Sequence, residues 1–310
     1  MTTMADAAVS FESIASLSAG IASGRLGPVK CAEDLLSRIE ALDGRLQSFI
    51  RVMPERALAQ AHAVESALKG GADPGILHGI PYAAKDLFDV KGVPTTAGTH
   101  LLENNIAAQD CAVVQKLAAA GMVLVGKTHT VQFAYGAPGI NHDYGTPHNP
   151  WHAVPHAPGG SSSGSAVAVA SGLVPMALGT DTGGSVRVPA ALCGIVGLKT
   201  TIGRVSRAGV YPLCWTLDSV GPITRSVEDA AVAYQAMQGA DPRDESTAGV
   251  AWHDTLRGLK DGVKGLRIAF GETVFFDDVD REVEKAVREA GQVLRSLGAQ
   301  LASLAVPEAA

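Results

Sequence analysis

Long uncharged runs, clustered bases and closely spaced cysteines are all absent from this 310-residue sequence. Each absence closes a class of function. A membrane-spanning helix needs about 20 consecutive apolar residues, and no uncharged apolar run reaches that length; no membrane partner is expected. Met1 to Phe11 carries no basic segment followed by an apolar core, so no secretory leader is expected. A nucleic-acid surface gathers Lys and Arg on one face. Here 25 Lys and Arg are dispersed against 31 Asp and Glu, for a net charge of -6, and no nucleic-acid partner is expected. Cys31, Cys111, Cys193 and Cys214 form no C-x-x-C pair, which excludes the common zinc and redox motifs. Scattered single cysteines suit buried thiols in a reducing compartment, and the expected location is cytoplasmic.

What is present is a chain 46% hydrophobic and 18% charged, enough for a real core. Helical and strand patterns alternate along it. Residues 11 to 43 read as two helices parted by Gly24 to Gly27, the second over Val29 to Leu42. A strand follows at Phe49 to Val52, then a helix from Pro54 to Leu68 and a loop with Gly70, Gly71, Pro74 and Gly75. Asp110 reads as the cap of a helix ended by Gly121, and Met122 to Val125 as a buried strand. Ser163 opens an Ala-rich helix that stops at Gly172, and Ser226-x-x-Asp229 is a capping-box pattern for a helix to Met237. Arg267 to Phe270, Val279 to Leu297 and Leu301 to Val306 read as strand, amphipathic helix and strand. The alternation predicts one α/β unit.

Glycine, 35 residues in all, crowds with Ser, Thr and Pro between Gly136 and Gly221. Apolar segments such as Val167-Ala168-Val169-Ala170 are interleaved with it, which excludes a flexible linker. Three segments carry chemistry. They are His78-Gly79-Ile80-Pro81-Tyr82-Ala83-Ala84-Lys85-Asp86, Pro158-Gly159-Gly160-Ser161-Ser162-Ser163-Gly164-Ser165, and Gly179-Thr180-Asp181-Thr182-Gly183-Gly184-Ser185-Val186-Arg187-Val188-Pro189-Ala190. In the third, two glycines before Ser185 can turn several backbone N–H groups toward one point and so stabilise an oxyanion. A serine hydroxyl attacks a carbonyl only once a base takes its proton. The first segment offers two bases, His78 and Lys85. His78 has the convenient pKa. Lys85 must be neutral to serve, which requires burial, and it has a competing use as an ion-pair partner of Asp86 or Asp89. On the residues alone the plainer uses are preferred, an ion pair for Lys85 and a loop position before a turn for His78.

These segments together resemble the amidase signature family, whose hallmark is a GGSSSGS run followed by GTDxGGSxRxPA. The similarity continues through Asn149-Pro150-Trp151, Gly194-Ile195-Val196-Gly197-Leu198-Lys199, Gly203-Arg204-Val205-Ser206 and Asp218-Ser219-Val220-Gly221-Pro222, so it covers residues 10 to 306. The resemblance implies an α/β fold with a mixed, twisted central sheet covered by helices on both faces. It implies a single domain over residues 1 to 310, with helices of about residues 10–70 packed on its core. The family's C-terminal part is expected to be missing after residue 310. It implies Ser185 as nucleophile, Ser161 as bridging serine joined to Gly160 by a cis peptide, and Lys85 as terminal base. Backbone N–H groups of Thr182, Gly183, Gly184 and Ser185 would form the oxyanion hole. Gln132, Tyr135, Gly160, Asp181 and Arg187 are candidates for substrate binding or loop support, with an Asp181–Arg187 ion pair the preferred use of the last two. The implied activity is amide hydrolysis through an acyl-enzyme, with no cofactor and no metal. The expected partners are a small amide substrate and, as an assembly, a homodimer. The alternatives are a non-catalytic fragment and a glutaminase-type amidotransferase subunit. Gln132 stands where the amidotransferase subunit typically has an acidic residue before Phe-Ala, which favours the small amide.

Three other patterns compete. Gly121 to Thr128 matches the phosphate-loop string G-x-x-x-x-G-K-T, but a helix precedes it and its middle is apolar. Gly160-Ser161-Ser162-Ser163-Gly164 matches the nucleophile elbow, yet His253 is the only histidine after His156. His142, His148, His152 and His156 suggest a metal, but Pro147, Pro150 and Pro155 interrupt them.

Overall fold

A computed structural model describes residues 7–73 and 75–309. Met1 to Asp6, the start of the stretch without leader character, Pro74 of the glycine loop and the last residue Ala310 lie outside the described residues. The chain forms two compact units, the first running to Leu256 and the second starting at Arg257, where the sequence reading has a single domain.

The first unit contains, in order, α1 (Ala7–Ser10), α2 (Ile14–Ala22), α3 (Pro28–Leu46), β1 (Phe49–Val52), α4 (Pro54–Lys69), β2 (Pro81–Lys85), α5 (Ala112–Ala119), β3 (Val123–Thr128), α6 (Ser163–Ala170), β4 (Met176–Asp181), α7 (Arg187–Leu192), β5 (Val196–Gly197), β6 (Ser219–Thr224) and α8 (Val227–Met237). Its six strands form one mixed sheet in the order β1-β3-β2-β4-β6-β5. The pairs β2–β3 and β2–β4 are parallel; β1–β3, β4–β6 and β5–β6 are antiparallel.

Every residue of β2, β3, β4 and β6 is buried. Strands covered on both faces read as continuous small and apolar runs rather than alternating ones, which is the pattern of Tyr82-Ala83-Ala84, Val123-Leu124-Val125 and Met176-Ala177-Leu178. Alternate residues feed two cores. Tyr82, Ala84, Leu124, Met176 and Leu178 join Val113, Val114 and Leu117 of α5 and Val232 and Met237 of α8. Ala83, Val123, Val125 and Ala177 join Ala57 and Ala61 of α4 and Ala166 to Val169 of α6. The mixed sheet with helices on both faces is therefore as expected.

Two local expectations are corrected. Asp110 does not cap α5: the cap position is Cys111, with no side-chain bond. Asp110 instead receives the Arg56 guanidinium and the Lys91 N–H. Ser226 does cap α8 through the Asp229 N–H, but Asp229 turns away from the reciprocal bond of a capping box. Its carboxylate accepts the Ile14 N–H at 2.9 Å and so holds the first turn of α2.

The second unit pairs β7 (Arg267–Gly271) in parallel with β8 (Gln300–Leu304), joined by α9 (Arg281–Ser296). Gly291 lets α9 lie close on Phe270, whose ring would sit 2.4 Å from any Cβ at that position. Among the described residues no helix is long and apolar enough to cross a membrane.

The parallel strands β2, β3 and β4 end together, at Lys85, Thr128 and Asp181, with Lys85 opposite Thr128. Ligands of open α/β sheets bind at such carboxyl ends. β3 runs past the expected Val125 to Thr128 because Lys127 is neutralised in place. Its ammonium lies 2.6 Å from Asp86, both side chains 1% exposed. Removing one member of a buried pair leaves the other charge uncompensated. Lys127→Ala is expected to lower stability in urea by about 3–5 kcal/mol; a loss of less than about 1 kcal/mol would show that the pair does not hold this strand end.

Candidate active site

Lys85 ends β2 with its side chain fully buried. Its Nζ lies 2.8 Å from Ser161 Oγ and 2.9 Å from Thr180 Oγ1. Asp86, the adjacent carboxylate, is occupied by Lys127, by the Thr96 N–H at 3.0 Å and by the Thr96 hydroxyl. The ion-pair use of Lys85 with Asp86 is thereby closed. Burial pulls the Lys85 pKa down from 10.5 to about 7, against an opposing pull from the carboxylates of Asp181 and Asp218. A lysine in this state is a base at neutral pH. His78, the other candidate, lies before the opposite end of β2 and packs on Gly121, where an added Cβ would meet its ring at 2.6 Å. Lys85 is the last residue of the strand and His78 precedes its first, so the four steps of the strand, roughly 13 Å at 3.3 Å per residue, lie between them.

Ser161 stands just before α6, joined to Gly160 by a cis peptide. Its carbonyl accepts the Val131 N–H at 3.2 Å. The next residue, Ser162, donates its N–H to the Ser185 carbonyl at 3.2 Å and its hydroxyl to the Thr180 carbonyl at 3.3 Å. The segment of Ser161 is thus tied directly to that of Ser185. Position 160 must be glycine because the Gly136 carbonyl would lie 2.7 Å from a Cβ there. Ser162, the nucleophile in the elbow reading, is fully buried and spent on a carbonyl.

The Ser185 loop leaves β4 at Asp181, whose buried carboxylate organises it. Asp181 accepts the N–H groups of Gly184 at 2.8 Å and Val186 at 3.1 Å, and binds Arg187 through Nε at 3.0 Å and Nη2 at 2.9 Å. These donors hold its pKa below the usual carboxylate range against the opposing effect of burial. One expectation fails here. The Gly184 N–H already donates to Asp181, so it is not available to an oxyanion. Of the four N–H groups named from the sequence, those of Thr182, Gly183 and Ser185 remain candidates. Ser185 itself is half-buried.

Gln132 follows Val131, whose N–H meets the Ser161 carbonyl, and the Tyr135 N–H donates to the Gln132 carbonyl at 3.1 Å. Gln132 donates to Asp143 at 2.9 Å, a loop-supporting bond, while Tyr135 is 81% exposed. The phosphate-loop reading has no support. Residues Val123–Thr128 are strand, Lys127 is buried against Asp86, and Gly126 gives way to β1, with the Arg51 carbonyl 2.6 Å from any Cβ. His152 and His156 stack at 3.9 Å, and among the described residues no group of three or more His, Cys, Asp or Glu could hold a metal ion. Two residues at the site carry no signal of their own in the sequence. Thr180 is one letter of a longer motif, and Asp218 lies 37 positions beyond Asp181 in a stretch marked only by its resemblance. Nothing local shows either as a neighbour of Lys85.

The amidase family matches residues 30–310. The chain belongs to the amidase signature family. It is 45% identical over 289 residues to a glutamyl-tRNA(Gln) amidotransferase subunit of Anaeromyxobacter sp. (strain K), covering 93% of this chain and 58% of that protein. The native peptide amidase of Stenotrophomonas maltophilia superposes with a TM-score of 0.89 at 36% identity, covering 94% of this chain and 62% of that one. The corresponding glutamyl-tRNA(Gln) amidotransferase subunit of Thermotoga maritima superposes at 0.84 with 34% identity, covering 97% and 63%. This chain spans about three-fifths of the length of the curated relatives it matches. Amidase-signature enzymes are hydrolases acting on C–N bonds.

A buried lysine with a lowered pKa opposes folding in proportion to its shift. The fall from 10.5 to about 7 is worth roughly 5 kcal/mol at 1.36 kcal/mol per unit. The unfolded chain binds the proton between pH 7 and 10.5 and the folded chain does not, so stability rises with pH across that window. Lys85→Met removes this dependence. The gap between the urea midpoints of variant and wild type should narrow as pH rises from 7 to 10; a constant difference would mean that Lys85 is protonated in the fold.

Proposed function

We propose that Ser185, Ser161 and Lys85 form the acyl-transfer centre of an amide-cleaving enzyme. The observation that carries this is a buried lysine amine, 2.8 Å from one serine hydroxyl, whose burial makes it a base at neutral pH. Lys85 Nζ takes the proton of Ser161 Oγ, and Ser161 takes that of Ser185 Oγ. Ser185 Oγ then attacks the amide carbon. The resulting oxyanion faces the N–H groups of Thr182, Gly183 and Ser185. The proton returns along the same path to the leaving nitrogen, the C–N bond breaks, and an acyl-serine ester remains. Water, deprotonated by the same relay, attacks the ester and releases a carboxylic acid and free Ser185.

The names of the curated relatives reverse the order of substrate readings. Gln132 by itself favours a small free amide. Relatives at 42–45% identity are amidotransferase subunits, which favours release of ammonia from a carboxamide within a multi-subunit complex. A stand-alone amidase is the second reading, favoured by the likeness to peptide amidase. Ammonia release from glutamine, compared with release from short-chain and peptide amides, separates the two.

The relay is tested with a fluorophosphonate probe, which a reactive serine attacks with loss of fluoride. Wild type should be labelled at Ser185, with a rate that rises through one ionisation near pH 7. Ser185→Ala should abolish labelling. Lys85→Ala should slow it by about 10²–10⁴-fold, and Ser161→Ala by less, because water can bridge the gap imperfectly. The losses will not add in the double variant. Near-normal labelling in Lys85→Ala with an unchanged pH profile would sink the relay.

A further inference from the structure

The β4–β6 ladder sets Asp181 opposite Ser219, so the next residues outward, Thr182 and Asp218, leave the sheet side by side. Thr182 Oγ1 donates to Asp218 Oδ1 at 2.5 Å. The same carboxylate accepts the Leu213 N–H at 2.9 Å and the Cys214 N–H at 3.0 Å. The Asp218 N–H donates back to the Cys214 carbonyl at 2.9 Å, closing a turn. Asp218 is 8% exposed. A carboxylate removed from water in this way is satisfied only while its hydroxyl and amide donors stay in place.

We propose that Asp218 is a positioning residue of the acyl-transfer site, fastening the first residue of the nucleophile loop to the turn at 213–218. The inference rests on the reading of Ser185 as nucleophile. Asp181 grips that loop from inside, at Gly184, Val186 and Arg187. Asp218 grips it from outside, at Thr182, whose backbone N–H is a candidate oxyanion donor. Preorganised donors act only if they stay where charge develops, so a loop loose at Thr182 loses stabilisation of the transition state. Asp218 has a second effect through its charge. The groups that face Lys85 are Ser161 ahead of α6, Thr180 and Asp181 on β4, and Asp218 ahead of β6; Arg187 balances Asp181. The Asp218 charge favours the lysine that has just taken a proton.

Two variants separate the effects. Asp218→Asn keeps the size and removes the charge and one acceptor. Fluorophosphonate labelling at pH 9, where Lys85 is largely neutral, should slow at least about tenfold, and the alkaline-rising limb should move to lower pH. Thr182→Val keeps the charge and removes the hydroxyl. It should slow labelling by a similar factor and leave the limb in place, and Thr182→Ser should restore the rate to within about twofold. The Thr182 pair decides the matter if Asp218→Asn does not fold. Wild-type labelling by Thr182→Val, a Thr182→Ser protein as slow as Thr182→Val, or an unmoved limb in a folded Asp218→Asn would each overturn the proposal. A wild-type chain that the probe never labels would overturn the proposed function, and this inference with it.

Discussion

An amine buried without a counter-charge is the constraint around which this molecule is arranged. Lys85 ends a strand whose every residue is enclosed, and its nitrogen meets two hydroxyls rather than a carboxylate. Hydroxyls satisfy the amine's hydrogen bonds without stabilising its charged form as an anion would, so desolvation wins. The two nearby carboxylates, Asp181 and Asp218, temper the shift without touching the amine. Both are occupied by other donors: Asp181 by its loop and Arg187, Asp218 by Thr182 and the 213–214 amides. The groups that shape the loop also tune the amine.

The neighbouring strand shows the opposite solution. Lys127 sits on β3 opposite Ala84, one register step from Lys85, and is equally buried. It is matched by Asp86, which follows Lys85 directly in the chain. Asp86 opens the turn after β2 and its carboxylate reaches Lys127, while the Lys85 amine reaches Ser161 and Thr180, so the two diverge although they are covalent neighbours. One buried lysine is thereby held as an ion pair and the other as an unpaired amine. The first fixes the loop between Asp86 and Ala97, where the Ala97 N–H also donates to the Asp86 carbonyl at 3.0 Å.

Much of this is legible in the sequence, and the limits have physical causes. The positions of β1, α3, α6, α8 and α9 follow from periodicity and from terminators such as Gly172. β2 reads as a motif and not as a strand, because Tyr82-Ala83-Ala84-Lys85 has little of the β-branched character that marks strands. Its conformation is imposed by β3 and β4 on either side. The choice between His78 and Lys85 cannot be made from residue chemistry, since it turns on which end of β2 faces the serines. The N–H of Gly184 misleads for a related reason. A nest of amides is visible in Gly183-Gly184-Ser185, but a carboxylate three residues earlier claims one of them, and that is a fact of three-dimensional geometry. Asp110 and Asp229 carry the same lesson, since each is used by a distant partner where a local cap is expected.

All the side chains of the proposed proton path lie between Lys85 and Asp218, within the first compact unit. In the proposed reading, the groups for proton transfer and for nucleophilic attack come from one uninterrupted stretch of chain. The segments that flank it serve as scaffold: Phe49–Val52 pairs with β3, and Ser219–Thr224 pairs with β4. A change in either flank therefore reaches the site through backbone pairing and not through the side chains that would move the proton.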